Sequence, residues 1–317
     1  MAGVDIGGTN TVFGLVDSDG NVHAESSIQT KNFPDVNDFV AGLSNAIKKL
    51  ADKNYELAGI GIGAPNANYY KGTVEFAPNL PWKGIIPLVE MINKKTGVKV
   101  ALTNDANAAA VGEMVFGGAK EMKNFIVFTL GTGLGSGIVI NGHLVYGHTA
   151  FAGELGHTTI IPDGRECGCG KKGCLETYAS ASGIVRTVLY FLSEMKADSP
   201  LRNIPPSAMT SKIIAEAAVN NDPVAIRAMN YTAEAIGWGI VNSIVFSSPE
   251  AIFLFGGLAK AGDILFKPVR EYVDKNILQI FRGTVKILPS GISENNAATL
   301  GAAALAWNDL KNRKKLN

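Results

Sequence analysis

All three cysteines of the 317-residue chain, Cys167, Cys169 and Cys174, fall within "ECGCGKKGCLE" (166–176). An odd number of thiols at this tight spacing is a poor disulfide framework. The opening "MAGVDIGGTN" lacks the basic start and apolar run of a secretory leader. No segment approaches the ~20 continuous apolar residues of a membrane span. The expectation is a cytoplasmic protein, where thiols stay reduced and clustered cysteines bind metal or do redox chemistry. Zinc takes four ligands from Cys, His and carboxylate, so three thiols call for a fourth ligand from elsewhere in the chain.

A second set of candidates sits on glycine-rich turns. The 36 glycines cluster in "DIGGTN" (5–10), "GTGLGSG" (131–137) and "FGGLAKAG" (255–262), each after an apolar, strand-like run. Backbone N–H groups in such turns can cradle phosphate; Thr9 and Thr132 add hydroxyls, and Asp5 adds a carboxylate at a strand end. There is no G-x-x-x-x-G-K-[ST], and a hairpin rather than a helix follows "GTGLGSG", so neither common nucleotide fingerprint applies. Asp105 closes the buried-strand pattern "VALTND" (100–105) at the rim where α/β sheets bind ligands. It also opens a helix, whose N-terminus favours anions. For an aspartate there, an N-cap is the competing structural role.

The elements that must position these residues alternate. "AGVDIGGTNTVFGLVDSDGNVHAESSI" (2–28) and "FIVFTLGTGLGSGIVINGHLVYG" (125–147) each read as strand, Gly-rich turn, strand, tight turn, strand, which suggests two related halves. "AIFLFGGLAKAG" (251–262) follows the same strand-then-glycine pattern and opens a helix. Helical patterns cover 36–53, 85–96, 106–118, 180–196, 210–220, 222–245 and 263–279. The small-residue run "NNAATLGAAALAWNDL" (295–310) suits close packing. Strands alternating with helices give an α/β class. Net charge is +1, so nothing points to nucleic acid; the basic run "KNRKK" (311–315) reads as a solvated helix end.

These motifs carry a resemblance. "DIGGTN", "LGTGLGSGIVING" (130–142) and "FGGLAKAGD" (255–263) resemble the two phosphate motifs and the adenosine motif of the actin/hexokinase-type ATPase superfamily. "TNDANAAAVGE" (103–113), "GELGH" (153–157) and "CGCGKKGCLETYASASG" (167–183) resemble the ROK family of sugar kinases and repressors, with a pattern closest to its glucokinases. The resemblance implies two actin-like (ribonuclease H-like) domains flanking a central cleft. The small domain would hold 1–105 plus 296–317; the large domain, 106–295, would carry the thiol loop and a dimerisation surface.

It also implies roles. Asp105 would accept the proton of a sugar hydroxyl. Asn79, Asn104, Glu154, His157 and Glu176 would bind the sugar. Asp5, Gly7, Gly8, Thr9, Asn10, Gly131, Thr132, Gly133, Gly256 and Gly257 would bind ATP, accompanied by Mg²⁺. His157 would join Cys167, Cys169 and Cys174 around a structural Zn²⁺. Position 66 is Asn where the family usually has Gly, which leaves its sugar contact open. Family repressors carry a helix-turn-helix segment before "DIGGT"; four residues precede Asp5 here, so a DNA-binding repressor is not the expectation, and Asp105 favours an enzyme. The implied function is phosphorylation of the 6-hydroxyl of glucose by a homodimer or homotetramer. N-acetylmannosamine, N-acetylglucosamine, mannose or fructose are rival substrates, a catalytically silent sugar sensor is a rival function, and polyphosphate is a rival donor.

Overall fold

A computed structural model describes residues 1–52, 54–293 and 296–314. One end residue of the helical patterns 36–53 and 295–310 lies outside them, as does the last residue of the basic run 311–315. The chain divides into two compact units: Met1–Lys123 with Gly137–Ala152 and Ser290–Asn317, and Asn124–Ser136 with Gly153–Pro289.

In the first unit, β1 (Ala2–Ile6), β2 (Thr11–Val16) and β3 (Val22–Ile28) form the expected meander. α1 (Val36–Ala51) follows, and then β4 (Ile60–Gly63), a strand that "GIGIG" hardly advertises. The small strands β5 (Ala67–Asn68), β6 (Thr73–Glu75) and β7 (Ile85–Ile86), the helix α2 (Leu88–Thr96), β8 (Val100–Thr103) and α3 (Asp105–Val115) complete this stretch. The sheet order is β3-β2-β1-β4-β8, with β4 parallel to both β1 and β8; β5-β6-β7 make a separate small sheet. The helix expected over 85–96 begins only at Leu88, because the residue before Pro87 is biased toward extended backbone. Phe39 of α1 and Trp82 pack with ring centroids 4.4 Å apart in the core, and the Trp82 indole N–H donates to the Phe33 carbonyl at 2.9 Å.

The second five-stranded sheet is built on β9 (Phe125–Leu130), β10 (Leu134–Ile140), β11 (His143–Leu144), β12 (Ala251–Phe255) and β13 (Lys286–Pro289), in the order β11-β10-β9-β12-β13; β9, β12 and β13 belong to the second unit and β11 to the first. The chain passes between units within β10. Phe125, Phe128 and Phe253 are fully buried there. α4 (Ala181–Glu194), α5 (Ser211–Val219), α6 (Pro223–Ser247) and α7 (Asp263–Asn276) pack among themselves. The helix expected over 263–279 starts at Asp263 and ends at Asn276; before it, Gly256 turns the chain at φ +101° and a short 3-10 turn intervenes.

The last helix, α8 (Ala297–Lys314), returns to the first unit. It lies directly on the sheet backbone: a Cβ at Gly3 would overlap the Thr299 carbonyl oxygen, and one at Gly61 the Ala302 carbonyl oxygen. A Cβ at Gly112 of α3 would lie 3.0 Å from the Gly301 Cα. Ala302, Ala303 and Ala304 are fully buried. The small residues of α8 therefore meet glycines on three elements, β1, β4 and α3. This packing holds α3 in the first unit, so the two units do not follow the boundaries drawn from sequence at 105/106 and 295/296. Among the described residues, no helix is long and apolar enough to cross a membrane.

Because Gly61 faces backbone atoms of α8, the partner cannot move aside alone. Gly61→Ala should cost about 1–3 kcal/mol, the range for overpacking. Urea midpoints should show that loss; an unchanged midpoint would mean that α8 is not seated on β4 as described.

Candidate functional site

In the first unit the site candidates gather at the ends of three parallel strands. Asp5 of β1 is in register with Gly63 of β4, and Gly63 with Thr103 of β8. Asn104 and Asp105 follow immediately. The cap role falls to Asn104, not Asp105: the Asn104 Oδ1 accepts the Asn107 N–H at 2.7 Å, and Asp105 is the first residue of α3. The Asp105 carboxylate is exposed, accepts its neighbour Ala106's N–H at 2.9 Å, and sits where the helix N-terminus favours negative charge. A Cβ at Gly63 would stand 3.6 Å from Asp5 Oδ1 and 3.7 Å from the Asp105 Cα, so glycine there leaves space beside both acids. Burial, reinforced by the charge of Asp105, pushes the Asp5 carboxyl up to about 6.

The turn after β1 is closed by the Gly7 N–H donating to the Asn10 carbonyl at 3.0 Å, with Thr9 and Asn10 exposed. A Cβ at Gly8 would overlap the Asn79 carbonyl oxygen. The loop that carries Asn79 thus lies against this turn. Asn66, the departure from the family pattern, takes φ +50°, a conformation Asn tolerates better than most residues; the amide donates to the Phe76 carbonyl at 3.4 Å.

In the second unit, one nitrogen of His157 and the three thiol sulfurs lie within 4.8 Å of one another. The Nδ1 of His157 is 3.6 Å from Cys167 Sγ, and Cys169 Sγ is 3.7 Å from Cys174 Sγ. Tetrahedral zinc with Zn–S of about 2.3 Å and Zn–N of about 2.0–2.1 Å spaces its ligands about 3.8 Å (S–S) and 3.6 Å (N–S) apart. The four side chains therefore fit a Cys3His ion in number, type and spacing. The loop is held by the Cys167 N–H to the Lys171 carbonyl (2.9 Å) and by left-handed turns at Gly170 and Gly173. Burial pushes the Cys167 thiol up to about 12 and also raises Cys174; the Lys171 N–H lowers Cys169.

Glu176 is not simply presented to solvent. It accepts from the Cys167 thiol at 3.1 Å and from the Leu134 N–H at 3.3 Å, and lies 3.7 Å from His157 Nδ1. The His157 Nε2 is 3.8 Å from Glu154. The Ala181 N–H donates to the Gly131 carbonyl (2.8 Å) and the Ser182 hydroxyl to the Thr132 carbonyl (2.7 Å). The turn 131–134, Gly133 included, is thereby tied to the thiol-loop segment, a link that spacing alone could not reveal. At the third turn, the Leu258 N–H donates to the Leu130 carbonyl at 3.2 Å. A cavity of about 560 Å³ opens beside it, lined by Lys212, Glu216 and Asn220 of the α5 region and by Gly257 and Lys260. Gly256 is packed against Leu130. Sequence reasoning missed this cavity because its α5 wall carries no motif. Asp5, Gly7, Gly8, Thr9, Asn10, Asn79, Asn104 and Asp105 thus belong to the first unit, and Gly131, Thr132, Gly133, Glu154, His157, Glu176, Gly256, Gly257 and the thiols to the second.

The family model described as "ROK family" matches residues 1–309. The chain belongs to the ROK family. A glucokinase of Streptomyces coelicolor is 36% identical over 313 residues, 96% of each chain. A xylose repressor of Bacillus spizizenii is 30% identical over 311 residues, 96% of this chain and 76% of the repressor. Among solved structures, a ROK family glucokinase from Streptomyces griseus, in complex with glucose and AMPPNP, superposes with a TM-score of 0.81 at 32% identity, covering 96% of this chain and 98% of that one. The fold of this ROK protein is the two-domain, actin-like ATPase fold shared with these kinases.

The raised Asp5 carboxyl has a definite sign. The fold favours its protonated form, so its stabilising effect is complete below about pH 4 and is lost as pH rises through about 6. Asp5→Asn should therefore raise the Tm at pH 8 by a few degrees and change it little at pH 4. A variant less stable than the parent at pH 8 would contradict the burial of this charge.

Proposed function

We propose that this ROK protein transfers the γ-phosphoryl group of ATP to the 6-hydroxyl of glucose, with Asp105 as general base. The observation that carries the reading is the Asp105 carboxylate itself. It stands at a strand end and a helix N-terminus, exposed, with the capping task taken by Asn104. As O6 attacks, its proton passes to the Asp105 carboxylate, the O6–P bond forms, and the bond between the γ-phosphorus and the ADP oxygen breaks. Asn79 and Asn104 in the first unit, and Glu154, His157 and Glu176 in the second, have the acceptors and donors that ring hydroxyls require. The N–H groups of Gly7, Gly8, Thr9 and Asn10, and of Gly131, Thr132 and Gly133, suit phosphate oxygens, and Asp5 joins them. The cavity beside Gly256 and Gly257 suits adenosine. Magnesium accompanying ATP neutralises charge on the phosphates. The kinships to glucokinases at 36% and 32% identity support the reading.

His157, Cys167, Cys169 and Cys174 would hold zinc. With all four tetrahedral positions filled by protein side chains, it would be structural. Held through His157 Nδ1, it would leave Nε2 for a hydroxyl, and Glu176 links the same loop to the Leu134 N–H.

The rival reading is a sugar sensor without catalysis, which the kinship to a xylose repressor brings forward. A sensor has no need of a base. Asp105→Asn should lower kcat by ~10²-fold or more, the range for losing a general base, while calorimetry finds glucose still bound. Near-normal turnover in that variant would remove Asp105 from the role.

For the thiol loop, elemental analysis should find about one zinc per chain. Cys169→Ser should lower the Tm and raise KM for glucose more than KM for ATP. Protein free of zinc with unchanged glucose affinity would sink this assignment.

A further inference from the structure

The small sheet of the first unit presents a residue that the fold penalises twice. Phe76, directly after β6, has φ +51°, a left-handed conformation in which a bulky side chain is a genuine outlier. Its side chain is nevertheless 67% exposed, although Val74 and Ala77 beside it are 2% exposed. An ordinary turn would place glycine or asparagine at such a φ and keep the phenyl ring inside. The strained conformation is also held from both sides. The Phe76 N–H donates to the Gly84 carbonyl at 2.8 Å, the Phe76 carbonyl accepts from the Asn66 amide at 3.4 Å, and the Glu75 N–H donates to the Asn66 carbonyl at 3.0 Å.

The anchor matters as much as the strain. Asn66 lies three residues beyond Gly63, the position that abuts Asp5 and Asp105. Three residues beyond Phe76, Asn79 lies against Gly8 of the first glycine turn. The backbone of Phe76 is thus tied to the loop that follows Gly63, and its own loop runs on to the residue that lies against the first glycine turn. A hexose presents hydroxyls around its edge and C–H groups on its faces. The polar residues assigned above address the edge, and an aromatic ring suits a face.

We infer that Phe76 is a sugar-binding platform, its ring stacking on a C–H face of the hexose whose 6-hydroxyl faces Asp105. The inference rests on the sugar-kinase reading. A stiff ring with two side-chain torsions loses little freedom on contact, and the strained backbone fixes it in advance, which lowers the ordering cost of binding.

The test compares Phe76→Gly, Phe76→Leu and Phe76→Tyr with the parent, by glucose calorimetry, ATP KM and Tm. Phe76→Gly should weaken glucose binding by about tenfold, leave KM for ATP unchanged and hold or raise the Tm, because glycine fits φ +51°. Phe76→Leu should lose affinity similarly, and Phe76→Tyr should keep it. Saturating the aromatic protons of the parent should transfer to glucose C–H protons, with the transfer reduced in Phe76→Gly. Equal glucose affinity in the parent and Phe76→Gly overturns the platform and leaves the kinase reading standing. A matching loss of ATP affinity or of Tm in Phe76→Gly assigns the ring to folding and overturns it as well. A parent protein that binds and phosphorylates no hexose overturns both readings together.

Discussion

The contact on which the first unit depends is the backbone-to-backbone seating of α8 on β1 and β4. Side chains usually hold a helix about 10 Å from a sheet, the spacing at which packed layers fill with side chains. Here Gly3 and Gly61 remove them on the sheet side, and the alanines of α8 keep them minimal on the other. α8 also meets α3 at Gly112 and Gly301. One helix thereby fixes the strand that carries Asp5, the strand that ends at Gly63 and the helix that begins at Asp105. An error of a single methyl group at the seat would be felt at the acids, since packed interiors transmit strain.

The two carboxylates use that rigidity differently. Asp105 is exposed at a helix N-terminus, where its charge is favoured. Asp5 is drawn inward and pushed up to about 6. Placing two acids this close costs stability, and Gly63 supplies the room that lets both remain. In the second unit a comparable demand is met by chemistry rather than packing. A loop with four glycines and three thiols between 164 and 174 has little apolar surface to bury, and the proposed four-ligand zinc would give it a fixed shape. Glu176 then carries that shape to the turn at Leu134.

Much of this was legible from residue types. The paired meanders announced themselves through alternation and through turns at "SDGN" and "NG". The thiol spacing pointed to metal, and "VALTND" placed an acid at a strand end. What escaped had physical reasons. β4 is half glycine, so its pattern carries no β-propensity signal, and its stability comes from β1 and β8 on either side and from α8 above. β7 was hidden inside a helical pattern that Pro87 interrupts. The N-cap went to Asn104 because either of two adjacent capping residues fits the sequence, and only backbone geometry chooses. Phe76 gave no signal, since a left-handed φ at a phenylalanine is set by Asn66 and Gly84, neither adjacent in sequence. The family was legible from motifs; the sugar was not, because a few atoms decide it.

The most direct measurement is the steady-state phosphorylation of a hexose panel by the purified protein with ATP and Mg²⁺, with the product position assigned by NMR. The account predicts that glucose has the highest kcat/KM and yields glucose 6-phosphate. Hexoses that bind without any turnover would contradict it, and would make this protein a sensor built on a kinase frame.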